Sequence, residues 1–182
     1  IWSSLVGSEM CIRDRAWCNE RFQICRNHNC ETLMKEAYVS IGSNIDASKN
    51  IQAVKSHLSI FDNIRYSSIY TTPAEGFEGE DFLNCVCNFR TAKSPYDLRN
   101  LLKRVERDMG RTTSQKGMSS RVIDLDLILY GDLVVHDSEL EIPSADIEKY
   151  KFVLEPLAEI APDKFHPTLK KSYKQLYISL FD

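Results

Sequence analysis

The 182-residue sequence contains no apolar run approaching the ~20 residues that a membrane-spanning helix needs. It also lacks a basic excess. Lys and Arg number 23 against 26 Asp and Glu, and the net charge of −3 argues against general affinity for nucleic acid or an anionic membrane. Neither Gly-x-x-x-x-Gly-Lys-Ser/Thr nor Gly-x-Gly-x-x-Gly occurs, so a glycine-rich cradle is not the means of holding phosphate. There is no internal repeat and no low-complexity linker. The opening "IWSSLVGSEMCIRDR" has no basic start, and its apolar stretch is too short to read as a secretory signal. What is present is ordinary for a globular domain: 43% hydrophobic and 27% charged residues, on a chain long enough for one domain with a proper core. The expectation is a cytoplasmic, enzyme-sized domain.

Cysteine use divides the chain. Cys11, Cys18, Cys25 and Cys30 lie in the first 30 residues. Cys18, Cys25, His28 and Cys30 have none of the usual zinc-knuckle spacings. Cys85 and Cys87 alternate with Val86, which suggests small buried strand residues rather than a redox pair. "VGSEMCIRDR" resembles translated sequencing-adapter read-through, and Met34 stands just before the first good strand. Residues 1–33 are therefore expected to be a non-native or disordered N-terminal extension, and 34–182 the working domain.

From Met34 the periodicities are clear. "EAYVSIGSN" (36–44) reads as a strand ending in a Gly-Ser-Asn turn. Ile51, Val54, Leu58 and Phe61 then follow at helical spacing, with Asp46 or Ser48 able to cap. "IRYSSIYTT" (64–72) alternates as a strand and breaks at Pro73; a loop leads to a second strand over 82–92. Ser94, Pro95 and Asp97 open a helix with the stripe Leu98, Leu101, Leu102, Val105 and Met109, closed by Gly110. A polar loop precedes the apolar strand "SSRVIDLDLILYG" (119–131). Short extended pieces around 133–135 and 139–142, a turn at Pro143 and a helix near 171–180 complete the chain. The order β-α-β-β-α-β is the signature of a ferredoxin-like α/β sandwich, an antiparallel sheet with two helices on one face.

The strand at 119–131 raises a chemical question. Alternation puts Ile123, Leu125, Leu127 and Leu129 on one face, and Val122, Asp124, Asp126, Ile128 and Tyr130 on the other. Two carboxylates about 6.5–7 Å apart on a buried strand repel each other and are costly to desolvate. Either cationic neighbours such as Arg121 pair with them, or they hold a hard divalent cation; Mg²⁺ is commonly bound by one or two carboxylates plus substrate phosphates. Arg121 leads into the strand, Arg111 and Lys116 lie on the loop before it, and Glu106 stands one turn before the helix end. Metal bridging phosphate oxygens, with cations on a closing loop, is how phosphoryl-type transfer is stabilised. Solvated loop charge is the plainer reading of Arg111 and Lys116 taken alone.

Five segments in order, "YVSIGSN", "SSIYTTPAEGFEGEDFLN", "VERDMGR", "SSRVIDLDLILYGD" and "FVLEPLAEIAPDKFHP", resemble the 6-hydroxymethyl-7,8-dihydropterin pyrophosphokinases of folate biosynthesis. The resemblance implies the ferredoxin-like fold and transfer of pyrophosphate from the co-substrate ATP to 6-hydroxymethyl-7,8-dihydropterin, with release of AMP. It implies two Mg²⁺ ions at Asp124 and Asp126, and a catalytic set of those aspartates with Arg121 and Arg111. ATP is expected at Glu106, Arg111, Lys116, Arg121 and Leu127. The pterin is expected between Phe82 and Phe152, with Asn84 on the ring edge and Thr72, Pro73 and Glu75 contributing backbone contacts. Read alone, Phe82 and Phe152 would be core residues. No residue stands out as a dedicated general base, so positioning and electrostatics carry the chemistry. A monomer is expected.

The chain departs from the family pattern at several places. Lys103 stands where a glutamine touches adenine, Thr113 where a second loop arginine lies, and Met118 where a tryptophan is frequent. Ser144 and Ala145 replace a histidine and a tyrosine, with Lys149 or Lys151 as candidate compensating cations. The rival readings are a non-catalytic ferredoxin-like binding domain, and a Mg-dependent nucleotidyl or phosphoryl transferase with another acceptor.

Overall fold

Strand and helix follow from the periodicities, and side chains then decide where each element stops. The structure, a computed structural model, describes residues 34–74, 77–112 and 119–181. All the elements below lie in one unit, Lys35–Asp182. Strand β1 is Lys35–Ser43, followed by helix α1 (Ala47–Leu58), β2 (Arg65–Tyr66), β3 (Tyr70–Thr72), β4 (Phe82–Thr91), α2 (Pro95–Asp108) and β5 (Asp124–Tyr130). A small hairpin of β6 (Val135–His136) and β7 (Glu141–Ile142) comes next, then helices α3 (Asp146–Lys149), α4 (Lys151–Ile160) and α5 (Tyr173–Phe181). The main sheet runs β2-β4-β1-β5, with β3 also paired to β4 and every pairing antiparallel. This is the expected ferredoxin-like arrangement, with β2 and β3 as two halves of the single strand expected over 64–72. Ser67 parts them. Its backbone N–H donates to Val86 O at 2.9 Å, but the Val86 N–H donates to the Ser67 Oγ at 3.0 Å, so a side chain interrupts the ladder.

Helix α2 begins as expected: the Ser94 hydroxyl accepts from the Asp97 N–H at 3.2 Å, and Pro95 occupies the first turn. Gly110, at φ 95°, supplies the left-handed turn beyond its end. Helix α1 departs from expectation. Asp46 is at the cap position but is itself left-handed, at φ 45°, and its side chain makes no cap hydrogen bond; Ser48 lies inside the helix. Asn50 Nδ2 instead donates to Ile45 O at 2.7 Å. The Gly-Ser-Asn turn also shifts, because Gly42 and Ser43 remain within β1.

Each sheet face has its own core. Val39, Ile41, Cys85, Cys87, Leu125 and Leu127 pack with Ile51, Val54 and Leu58 of α1 and with Leu98, Leu102 and Val105 of α2. Tyr38, Val86, Ile128 and Leu129 pack on the other face with Val153, Leu154 and Leu157 of α4 and with Tyr173 and Leu176 of α5. Helices thus cover both faces rather than one. Cys85 and Cys87 are buried free thiols as expected; burial pushes the Cys85 thiol up to about 11, away from reactive thiolate. The simple alternation along β5 fails at one point. Tyr38 pairs with Leu129 but Val39 pairs with Leu127, which leaves Ile128 as the extra residue of a β-bulge. Leu129 consequently joins Ile128 in the second core, and Tyr130 crosses into the first. Among the described residues no helix is long and apolar enough to cross a membrane.

Candidate active site

Strand register assembles the site. Gly42 of β1 pairs with Asn84 on β4 and with Asp124 on β5, Ser40 pairs with Asp126, and Thr72 of β3 pairs with Phe82. Alternation turns Phe82, Asn84, Gly42, Asp124 and Asp126 to the face carrying α4. Beyond the helices this face bounds a cavity of about 350 Å³, lined by Thr72, Pro73, Phe82, Asn84 and Phe152 together with Arg121, Asp124 and Asp126. The expected pterin residues that are described therefore share one cavity; Glu75 lies outside the described residues. Asn84 Nδ2 donates to Thr72 Oγ1 at 2.8 Å, which orients the amide. Gly42 makes room for it, since a Cβ there would stand 3.0 Å from Asn84 Oδ1. Phe77 meets Phe82 edge-on at 6.2 Å, and Tyr150 stacks on Phe152 at 5.0 Å.

The strand-mouth aspartates sit in a balanced charge cluster. Arg111 and Arg121 each form an ion pair with Asp124. Lys103 Nζ lies 2.7 Å from Glu106, 2.9 Å from Asp126 and 3.7 Å from Asp124, and Arg111 lies 2.8 Å from Glu106. Burial works to raise the Asp124 carboxyl, but Arg121, Lys103 and Arg111 outweigh it and hold it below the usual carboxylate range. Burial likewise opposes the Lys103 charge, yet Asp126, Glu106 and Asp124 raise its affinity for the proton. For Glu106 burial wins and the carboxyl is raised. The cations pair with a candidate metal cluster: one oxygen each from Glu106, Asp124 and Asp126 lies within 4.8 Å of the others. That all-carboxylate set, already hosting an ammonium, suits a hard divalent cation.

Glu106 and Lys103 have a second task at the sheet edge. Strand β5 is an edge strand, and its outward backbone groups need partners. Glu106 accepts from the Leu125 N–H at 2.7 Å, and Lys103 donates to Leu125 O at 3.1 Å. Asn44 organises the approach to the site: its Oδ1 accepts from the Arg121 N–H at 2.7 Å, and its Nδ2 donates to Glu80 O and Ser120 Oγ, both at 3.1 Å.

A second cavity of about 190 Å³ lies beside the first and includes Arg99, Lys103, Leu127, Ser144 and Glu141. Asp126 and Asp146 line both. Burial and the neighbouring Asp126 raise the Asp146 carboxyl. The expected ATP residues are thus distributed. Leu127 lines the second cavity, Arg121 lines the first, and Glu106 and Arg111 belong to the charge cluster. Lys116 lies outside the described residues, as do Thr113 and Met118. Sequence reasoning missed Gly42, Asn44, Phe77, Asp146 and Tyr150 as site residues. Only Gly42 left a signal, because a glycine inside a strand often marks close approach of another group.

The family model for 7,8-dihydro-6-hydroxymethylpterin-pyrophosphokinase matches residues 38–162. The 2-amino-4-hydroxy-6-hydroxymethyldihydropteridine pyrophosphokinase of Aquifex aeolicus is 33% identical over 145 residues, covering 78% of this chain and 90% of that protein. The Folic acid synthesis protein FOL1 of Dictyostelium discoideum is 35% identical over 146 residues, 79% of this chain. Its counterpart in Schizosaccharomyces pombe is 39% identical over 142 residues, 75% of this chain. The chain spans only 22% and 19% of the length of these last two relatives. With a family match across both cavities and the charge cluster, the chain belongs to the 7,8-dihydro-6-hydroxymethylpterin-pyrophosphokinase family.

Proposed function

We propose that the chain transfers the β,γ-pyrophosphoryl group of ATP to the hydroxymethyl group of 6-hydroxymethyl-7,8-dihydropterin, a step of tetrahydrofolate biosynthesis. The hydroxymethyl oxygen forms a bond to the β-phosphorus, the bond from that phosphorus to the α,β-bridging oxygen breaks, and AMP leaves with the bridging oxygen as the hydroxyl proton is released. The observation that carries this reading is the junction at Asp126 and Asp146. There an aromatic, amide-lined cavity meets a second cavity beside a cluster of carboxylates and cations. Phe82 and Phe152 line the cavity, and a flat heterocycle would stack between them. The Asn84 amide, fixed by Thr72, presents its remaining polar atoms to the ring edge, which favours ligands with matching donors and acceptors. Arg121 and Arg111 bring positive charge to the place where phosphate charge must be borne. Asp124 and Asp126 would hold two Mg²⁺ ions, which would supply the positive charge that offsets the triphosphate's repulsion of the incoming hydroxyl. We take the working form to be a monomer and place it in the cytoplasm, where ATP is available.

The test is product analysis with Mg-ATP and the pterin, nucleotides being separated by chromatography. Pterin-dependent AMP that disappears with EDTA is expected. ADP or free pyrophosphate instead would indicate a transferase with another acceptor, and no turnover by folded protein would favour the binding-domain alternative.

A further inference from the structure

The Lys103 ammonium uses its whole donor capacity inside the acidic cluster. It bonds Glu106 Oε1 at 2.7 Å, Asp126 Oδ1 at 2.9 Å and Leu125 O at 3.1 Å, and stands 3.7 Å from Asp124 Oδ1. An ammonium has three donors and no acceptor, so all three are engaged. Its neighbours include all three carboxylates whose oxygens gather within 4.8 Å of one another. A divalent cation held by these oxygens at ~2.0–2.1 Å would share their acceptor directions with the ammonium and repel it strongly at such short range.

We propose that Lys103 is a tethered cation that occupies the metal's place in the acidic cluster and yields it when metal and nucleotide arrive together. The proposal rests on the reading that this cluster takes Mg²⁺ with ATP. Three observations support an ammonium that leaves rather than one that is locked in. The Lys103 side chain is 29% exposed and lines the second cavity, beside Leu127. Glu106 keeps Arg111 at 2.8 Å and the Leu125 N–H at 2.7 Å after the ammonium has gone, so the buried carboxylate retains partners. The Asp126 side chain is 48% exposed and open to solvent-borne ions. Triphosphate entering the second cavity offers the displaced ammonium a new anion, whereas free metal offers it none. Metal alone must therefore compete with Lys103, and metal with nucleotide need not. Lys103 acts as a positioning residue that couples the two binding events.

The test measures Mn²⁺ binding to the full chain by electron paramagnetic resonance, alone and with α,β-methylene-ATP, in wild type, Lys103→Gln and Lys103→Arg. Lys103→Gln keeps a donor for Leu125 O but removes the charge. It should bind Mn²⁺ alone roughly tenfold more tightly, bind the analogue more weakly in EDTA, and show less mutual enhancement between the two. Lys103→Arg, with its charge retained, should bind Mn²⁺ alone as weakly as wild type. Equal Mn²⁺ affinity in wild type and Lys103→Gln would overturn the proposal. So would the same tightening in Lys103→Arg, which would trace the effect to packing. A Lys103→Gln chain that failed to fold by circular dichroism, beside a folded Lys103→Arg, would assign Lys103 to support of the cluster instead. If wild type bound no Mn²⁺ even with the analogue, the metal reading itself would fail. If it did bind, and only the variants disagreed, the failure would belong to Lys103 alone.

Discussion

At Gly42 a single methyl group decides the position of an amide two strands' width from Asp124 and Asp126. The Cβ of an alanine would press on Asn84 Oδ1 at 3.0 Å and turn it from the geometry that Thr72 now holds. Gly42→Ala is expected to weaken pterin binding about fivefold to tenfold, the worth of roughly one hydrogen bond, with ATP binding unchanged. Isothermal titration with each ligand checks this, and equal losses for both would indicate general damage. Asp124 is the most heavily paired carboxylate. Asp124→Asn should lower turnover by orders of magnitude while circular dichroism stays native; near-normal turnover would remove Asp124 from the metal site. Its folded pKa lies below the ordinary carboxylate value. Its ion pairs therefore contribute fully above the unfolded pKa of about 3.9 and are lost as pH falls through the lower folded value. The urea-unfolding advantage of wild type over Asp124→Asn should be constant from pH 7 to 5 and shrink below pH ~4.

Helix α2 and strand β5 hold each other through side chains that also face the chemistry. Glu106 is 5% exposed and accepts from the Leu125 N–H on the sheet edge while pairing with Arg111 and Lys103. Glu106→Ala leaves that N–H and two cations without their carboxylate. It should destabilise the fold by about 2–3 kcal/mol in urea titration, so its effect on ATP must be read on protein shown to be folded. Helix α4 is tied down differently. Exposed Glu159 accepts from Ser68 N–H and Oγ, both at 3.0 Å, and from the Tyr70 hydroxyl at 2.9 Å, fastening α4 to β3. Such exposed bonds add little to global stability, but they tie down the helix that also carries Phe152 of the cavity lining. Glu159→Ala should leave the urea midpoint nearly unchanged and raise the pterin KM several-fold. A lowered midpoint with unchanged KM would make Glu159 a simple surface brace.

Across the whole molecule the cavity is lined by residues from Ser40 to Val153, inside the unit that starts at Lys35. A chain beginning at Met34 is therefore expected to match the full chain in AMP production and in thermal midpoint; loss of either would make residues 1–33 part of the working protein. Much of this organisation is local and therefore legible in the sequence. Strand alternation, the Ser94-Pro95-Asp97 helix start, the Gly110 stop and the Asp-x-Asp strand depend on neighbours within a few residues. The motifs from Thr72 to Phe152 identified most of the cavity lining. Helix α4 escaped notice because Pro156 sits inside it and its apolar residues are nearly continuous. The remainder depends on partners far along the chain. Ser67 splits a strand only because Val86 lies opposite, and Ile128 bulges only against the register of Tyr38 and Val39. Glu106 and Lys103 meet Leu125 only because β5 is an edge. The sequence by itself determined most of the elements from β1 to β5, their order and many of the residue types of the site, since short-range periodicity and capping encode them. Tertiary structure alone decided which cation sits on which carboxylate, because that choice depends on distances between strands and helices that no local pattern records.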